Sequence, residues 1–196
     1  MEKSSVTEAS LEQMREIYHN ELVYDFPKNE VKPFSSIEKL WKKGMYRGYM
    51  LWQGRKLCAY WFLLYYEKYN VYLLDYLAAL RGNRGKGYGS FALNYLAAHC
   101  EQGILFIEAE DPQMAQNHKQ KVMREHRLDF YLKNRARLTG VRTRVYEAPY
   151  VIFLAGESEN QIHDDEWVME VYENLYLDTI LPENGHSVEE AGLLVW

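Results

Sequence analysis

Residues 71–80 constrain this chain more than any other stretch. They read Val-Tyr-Leu-Leu-Asp-Tyr-Leu-Ala-Ala-Leu and run directly into Arg81-Gly-Asn-Arg84-Gly85-Lys86-Gly87-Tyr88-Gly89-Ser90. A near-continuous apolar run of this length predicts a strand covered on both faces. The glycines after it permit a sharp backbone turn. Phe91, Leu93, Leu96 and Ala97 then predict a helix.

The rest of the chain alternates in the same way. Ser10, with Gln13 three residues on, predicts a capped helix carrying Leu11, Met14, Ile17, Tyr18 and Leu22. Pro27 and Pro33 end that region, and Ile37, Leu40 and Trp41 mark a short helix after Ser35. Residues 46–53 and 56–67 flank Gly54-Arg55 as a β-hairpin. A short strand is expected at 104–108, a helix at 114–135, and a closing hairpin of 142–146 and 150–154 around Pro149. The order α, α, β, β, β, α, β, α, β, β implies a mixed α/β sheet with helices on its faces.

Charge divides the chain unevenly. Residues 157–196 hold 11 acidic residues and no Lys or Arg, whereas residues 1–156 hold 23 basic against 17 acidic ones, a net +6. We therefore expect a main domain at 1–156 and an acidic extension at 157–196. Within the extension, Trp167, Val168, Val171, Tyr172, Leu175 and Tyr176 form one apolar helical stripe behind Asp164, Asp165 and Glu166. That stripe is expected to be buried, on its own chain or in a homodimer, with acidic flanks toward the basic segment 117–144. Cys58 and Cys100 have no metal-site spacing, and no apolar run approaches a membrane span. No metal and no membrane partner are expected, and the expected compartment is the cytoplasm. The six histidines show no ligand spacing, and a net charge of −5 without a nucleic-acid motif argues against nucleic-acid binding.

The chemistry sits in the glycine-rich loop. Successive backbone N–H groups and the positive end of the next helix together suit a phosphate or pyrophosphate, and Arg84 and Lys86 add charge. The plain alternative is a turn whose glycines serve only its backbone shape. A P-loop fails because Gly87, not Ser or Thr, follows Lys86. A dinucleotide fingerprint can be drawn as Gly87-x-Gly89-x-x-Ala92 with Glu108 beyond, but Gly87 lies seven residues past Leu80.

Arg84-x-x-Gly87-x-Gly89 resembles the Q/R-x-x-G-x-G/A loop of the GNAT N-acetyltransferases. The likeness continues in order through LDYLAAL before the loop, SFALNYL after it, the Phe130-Tyr131 pair in residues 127–134, and Phe26-Pro27-x-x-Glu30 near the start. The resemblance implies a mixed, mostly antiparallel sheet with flanking helices and a splayed central strand pair. It also implies acetyl-CoA as cosubstrate and an amine as acceptor. The pyrophosphate would be held by Arg84, Gly85, Lys86, Gly87, Tyr88, Gly89 and Ser90, and the pantetheine arm by Leu77, Ala78, Ala79 and Leu80. Asn134 would close the cofactor site, and Tyr131 would protonate the departing thiolate. Two departures stand out: Arg124 replaces an Asn common in the family, and Asn134-Arg135-Ala136 replaces Asn-Gly-Phe.

Acetyl transfer needs a neutral amine, a hydrogen bond to the oxyanion and a proton for the thiolate. Glu108 and Glu110 at the end of the 104–108 strand are the candidate bases, with Asp75 and a water chain as further options. A non-catalytic acyl-CoA sensor on the same fold is the rival reading.

Overall fold

The computed structural model describes residues 4–28, 30–99, 103–157 and 162–196. Cys100 lies outside the described residues. The chain forms two compact units, Met1–Tyr65 with Leu73–Tyr95, and Tyr66–Tyr72 with Leu96–Trp196. The expected boundary at residue 156 falls inside the second unit.

In the first unit the strand order is β1 (Ser4–Ala9), β2 (Tyr46–Gln53), β3 (Lys56–Tyr66), β4 (Val71–Ala79). β1 and β2 are antiparallel, as are β2 and β3, which turn at Gly54-Arg55. β1 has no apolar alternation and only Ala9 is buried; its pairing with β2 comes from the backbone ladder. Ser10 caps α1 (Leu11–Ile17) through reciprocal bonds with Gln13 at 3.2 and 2.9 Å. The helix continues through a π-helical turn, Tyr18–Leu22, into α2 (Val23–Asp25) and stops before Pro27. Met14, Ile17 and Leu22 are buried, and a β-carbon at Gly48 would lie 2.7 Å from Met14 Cγ. Glycine there lets the helix approach the sheet. α3 (Phe34–Lys42) buries Ile37 and Leu40 but leaves Trp41 exposed. The glycine loop and α4 (Tyr88–His99) follow, and Tyr95 is the last residue of α4 in this unit.

In the second unit the order is β5 (Ile104–Glu110), β7 (Ala148–Ala155), β6 (Arg137–Val145), β8 (Leu194–Val195), all antiparallel to their neighbours. The β6–β7 turn is at Tyr146-Glu147, both left-handed at φ 49° and 64°, and not at Pro149, which pairs with Arg144 inside β7. Two left-handed residues match the twist of a tight hairpin. β6 starts earlier than expected because it carries an irregularity between Leu138 and Arg142. α5 (His118–Lys133) starts later than expected, because a 3₁₀ turn at Pro112–Met114 precedes it and the Asn117 side chain caps it.

The acidic extension folds within this unit. Asp164 caps α6 (Asp165–Leu175), which buries Val168, Val171, Tyr172 and Leu175. A π-helical turn (Tyr176–Ile180), α7 (Leu181–Asn184) and α8 (Val188–Ala191) follow, and β8 pairs with β6. The architecture is a mixed α/β fold with mostly antiparallel strands and flanking helices.

Candidate functional site

Leu77, Ala78, Ala79 and Leu80 at the end of β4 are half-buried. The Leu80 N–H donates to Cys58 O at 2.9 Å, which fixes the strand end, and the Asn83 N–H turns back to Leu80 O at 2.9 Å. Asn83 is buried and its side chain accepts from Lys86 Nζ at 3.3 Å. Gly85 and Gly87 have φ of 75° and 82°, and a β-carbon at either would meet nothing within 4 Å. Their backbone thus lines open space rather than a packed neighbour. Gly87 O accepts from the Phe91 N–H at 2.9 Å, so α4 begins here. The N–H groups of Tyr88, Gly89 and Ser90 fall in its first turn, where no intrahelical acceptor exists. These N–H groups carry the partial positive charge of a helix N-terminus.

Arg84 has a partner that sequence reasoning missed. Its guanidinium lies 3.0 Å from the Asp25 carboxylate, whose side chain is only 1% exposed. The Tyr60 hydroxyl donates to the same carboxylate at 3.1 Å, and burial and then Asp25 push the Tyr60 pKa far up. Arg81 lies 5.4 Å from the Tyr24 ring. Two loop arginines therefore grip α2.

Asp75, on β4, is also paired. Lys32 Nζ lies 2.8 Å from Oδ2 and 2.9 Å from Oδ1, and the buried Tyr46 hydroxyl donates to Oδ2.

In the second unit, Tyr131 is buried between Phe130 and Phe153, with ring centroids 5.4 Å away in each case. Burial pushes its pKa up, Arg127 opposes this, and Glu108 adds to it. The hydroxyl holds its proton at neutral pH. Glu108 accepts from Tyr172 and, at 2.6 Å, from Tyr176, both supplied by the extension. Thr143 Oγ1 donates to the Tyr172 oxygen at 3.1 Å. Glu110 is held by Arg124 at 2.6 Å and Arg127 at 3.2 Å. Arg142 pairs with Asp111 at 3.3 Å, so three arginines of the basic segment serve the end of β5. The acidic extension meets that segment through Arg137 and Glu157 at 2.7 Å, while Asp165 accepts the Gly140 N–H at 3.0 Å. The Asn134 side chain donates back to Phe130 O at 2.7 Å and so closes α5.

No family model matches this sequence, and no curated protein is significantly similar to it. Solved structures are. A chain from Bacteroides thetaiotaomicron assigned to the GNAT acetyltransferases aligns with a TM-score of 0.63 at 13% identity, covering 89% of this chain and 98% of that one. A Bacillus subtilis acetyltransferase solved with CoA gives 0.57 at 14% identity, covering 80% and 100%. The ribosomal-protein-S18-alanine N-acetyltransferase of Escherichia coli gives 0.54 at 17%, covering 82% and 100%.

The fold is that of the GNAT acetyltransferases.

Both departures from the GNAT pattern have structural counterparts. Arg124 spends its guanidinium on Glu110 and on Asp111 O, the latter at 2.8 Å. Arg135, in place of the pattern's glycine, is left-handed at φ 65°. That conformation costs a residue other than glycine about 1–2 kcal/mol. The dinucleotide alternative needs its first glycine at a strand end, whereas β4 ends at Ala79 and Gly87 starts α4. Among the described residues, no group of three His, Cys, Asp or Glu side chains is arranged to hold a metal ion, and no helix is long and apolar enough to cross a membrane.

Proposed function

We propose that this protein is an acetyl-CoA-dependent N-acetyltransferase acting by direct attack of an amine in a ternary complex. The observation that carries the reading is the loop, with its left-handed Gly85 and Gly87 beside open space and ahead of the twelve-residue α4. In this reading the backbone of residues 84–90 binds the cofactor's pyrophosphate, and Leu77 to Leu80 orient its extended arm. When bound, acetyl-CoA supplies an acetyl group activated as a thioester. Tyr131 keeps a proton at Oη until a leaving thiolate needs it. Glu108 and Glu110 fit the role of base less well than their strand position implied. Tyr172 and Tyr176 occupy the Glu108 carboxylate, and Arg124 and Arg127 occupy that of Glu110, so water carries the amine's proton in this scheme. The same occupied carboxylates favour the second reading, an acyl-CoA sensor.

Acetyl-CoA at 100 times its Kd should stabilise the fold by about 2.7 kcal/mol. Gly87→Val should abolish that shift and also cost about 1–2 kcal/mol of stability, since the added side chain enters open space but Gly87 is left-handed at φ 82°. Tyr131→Phe should keep the shift but lower turnover by roughly 10²–10⁴-fold. Binding without release of CoA across a panel of amines would establish the sensor. A shift with NAD but none with acetyl-CoA would refute both.

A further inference from the structure

The first unit contains a cation seat with an occupant from its own chain. Lys32 Nζ is bidentate on Asp75, at 2.8 and 2.9 Å. The side chains are 12% and 10% exposed, so the seat is nearly enclosed but still reaches the surface. Tyr46 donates to the same carboxylate, and its ring centroid is 5.9 Å from the ammonium. Carboxylate, hydroxyl and aromatic wall together recognise a primary alkylammonium.

The lysine side chain is not needed to moor its own segment. The Lys32 N–H donates to Tyr76 Oη at 3.0 Å, Tyr18 Oη donates to Lys32 O at 3.1 Å, and Tyr76 Oη donates to Glu30 O at 3.0 Å. The backbone can stay in place while the ammonium leaves. An enclosed ion pair gains little net stability over its desolvation cost, so replacing one primary ammonium by another is close to even.

We propose that the Asp75–Tyr46 seat binds a non-reacting ammonium of the acceptor, with Lys32 as a tethered placeholder that the acceptor displaces. This rests on the acetyltransferase reading and names the acceptor class, a linear aliphatic diamine. An ammonium seated on a carboxylate keeps its proton and is no nucleophile; the second amino group is the one acetylated. There an N–H is replaced by the acetyl group and the coenzyme leaves as its thiol. Leu77, the nearest of the strand-end residues, lies two positions along β4 from Asp75 and on the same face, roughly 7 Å away at the rise of a strand and about the span of a four-carbon diamine.

The test uses the full chain with butylammonium and 1,4-diaminobutane as probes. In calorimetry without cofactor, Lys32→Ala should bind butylammonium about tenfold or more tighter than the parent, because a tethered competitor acts at ~mM effective concentration. Lys32→Ala/Asp75→Asn, which removes both charges and leaves neither buried alone, should lose that binding. With acetyl-CoA, the parent should favour the diamine over butylamine in kcat/KM by about tenfold, the size of one ionic contact, and the double variant should show no preference. Equal butylammonium affinity in all three proteins, or a diamine preference that survives in the double variant, would overturn the proposal. The binding arm keeps its meaning if no amine is acetylated: turnover failing with the seat intact would refute the enzyme reading alone.

Discussion

Each unit holds a half-buried carboxylate on a strand and answers its charge differently. Asp75 is met by a cation on a loop plus one tyrosine, Lys32 and Tyr46. Glu108 is met by two tyrosines, Tyr172 and Tyr176, borne on packed helical turns of the extension. A lysine on a loop can be exchanged for another cation. Tyrosines carried by a buried helix cannot leave without unpacking it. The first arrangement suits a place where something binds; the second suits a place that must not move.

The strongest way to break this contrast is to remove the extension. Residues 157–196 bury Val168, Val171, Tyr172, Leu175, Tyr176, Ile180 and Leu181. At ~1.5–3 kcal/mol for each of these side chains, an upper estimate of about 10–20 kcal/mol rivals the stability of a whole domain. A chain ending at residue 156 should therefore lose its cooperative thermal transition in circular dichroism. An unchanged melting curve would show that the extension is an appendage and that its tyrosines anchor nothing.

A sharper and smaller test compares the hydroxyls. Tyr172→Phe/Tyr176→Phe removes two hydrogen bonds to a half-buried carboxylate, about 3–6 kcal/mol in all. Tyr46→Phe leaves Lys32 on Asp75 and should cost about 1.5–3 kcal/mol. Denaturant midpoints of the two variants should rank in that order. Equal losses would mean that Lys32 contributes no more than a hydroxyl.

The mildest effect at ordinary pH is alkaline sensitivity. Burial, then Asp75, pushes the Tyr46 pKa up, and burial, then Glu108, does the same for Tyr172 and Tyr176. Each is raised in the folded state, so its stabilisation is complete below the unfolded value of ~10 and is lost as pH rises past it. Melting temperature should be flat from pH 8 to about 9.5 and fall above ~10. Tyrosinate absorbance should appear together with unfolding. Ionisation of these tyrosines near pH 10 in a still-folded protein would contradict their burial.

Local chemistry was the legible part. The Ser10 capping box, the turn at Gly54-Arg55, the apolar β4, the loop ahead of α4 and the stripe on α6 are all written within a few consecutive residues. What could not be read joins distant residues: Arg84 with Asp25, 59 positions apart, and Tyr172 with Glu108, 64 apart. An acidic or hydroxyl side chain looks alike whether it meets water or a buried partner. The strands β1 and β8 were missed for a related reason, because backbone pairing rather than side-chain alternation places them. The late start of α5 follows from Pro112 and the Asn117 cap, whose punctuation the apolar pattern around Met114 obscures.

The polar β1 has a consequence for how this protein behaves in a crowd. It ends the strand order of the first unit, and its side chains include Ser4, Ser5, Thr7 and Glu8, all but Val6 and Ala9 exposed. A strand from another molecule that extended the sheet there would have to cover Glu8 and several hydroxyls for little apolar gain. The ladder can thus continue in hydrogen bonds but not in hydrophobic burial, which is how natural sheets keep an open edge from recruiting strangers.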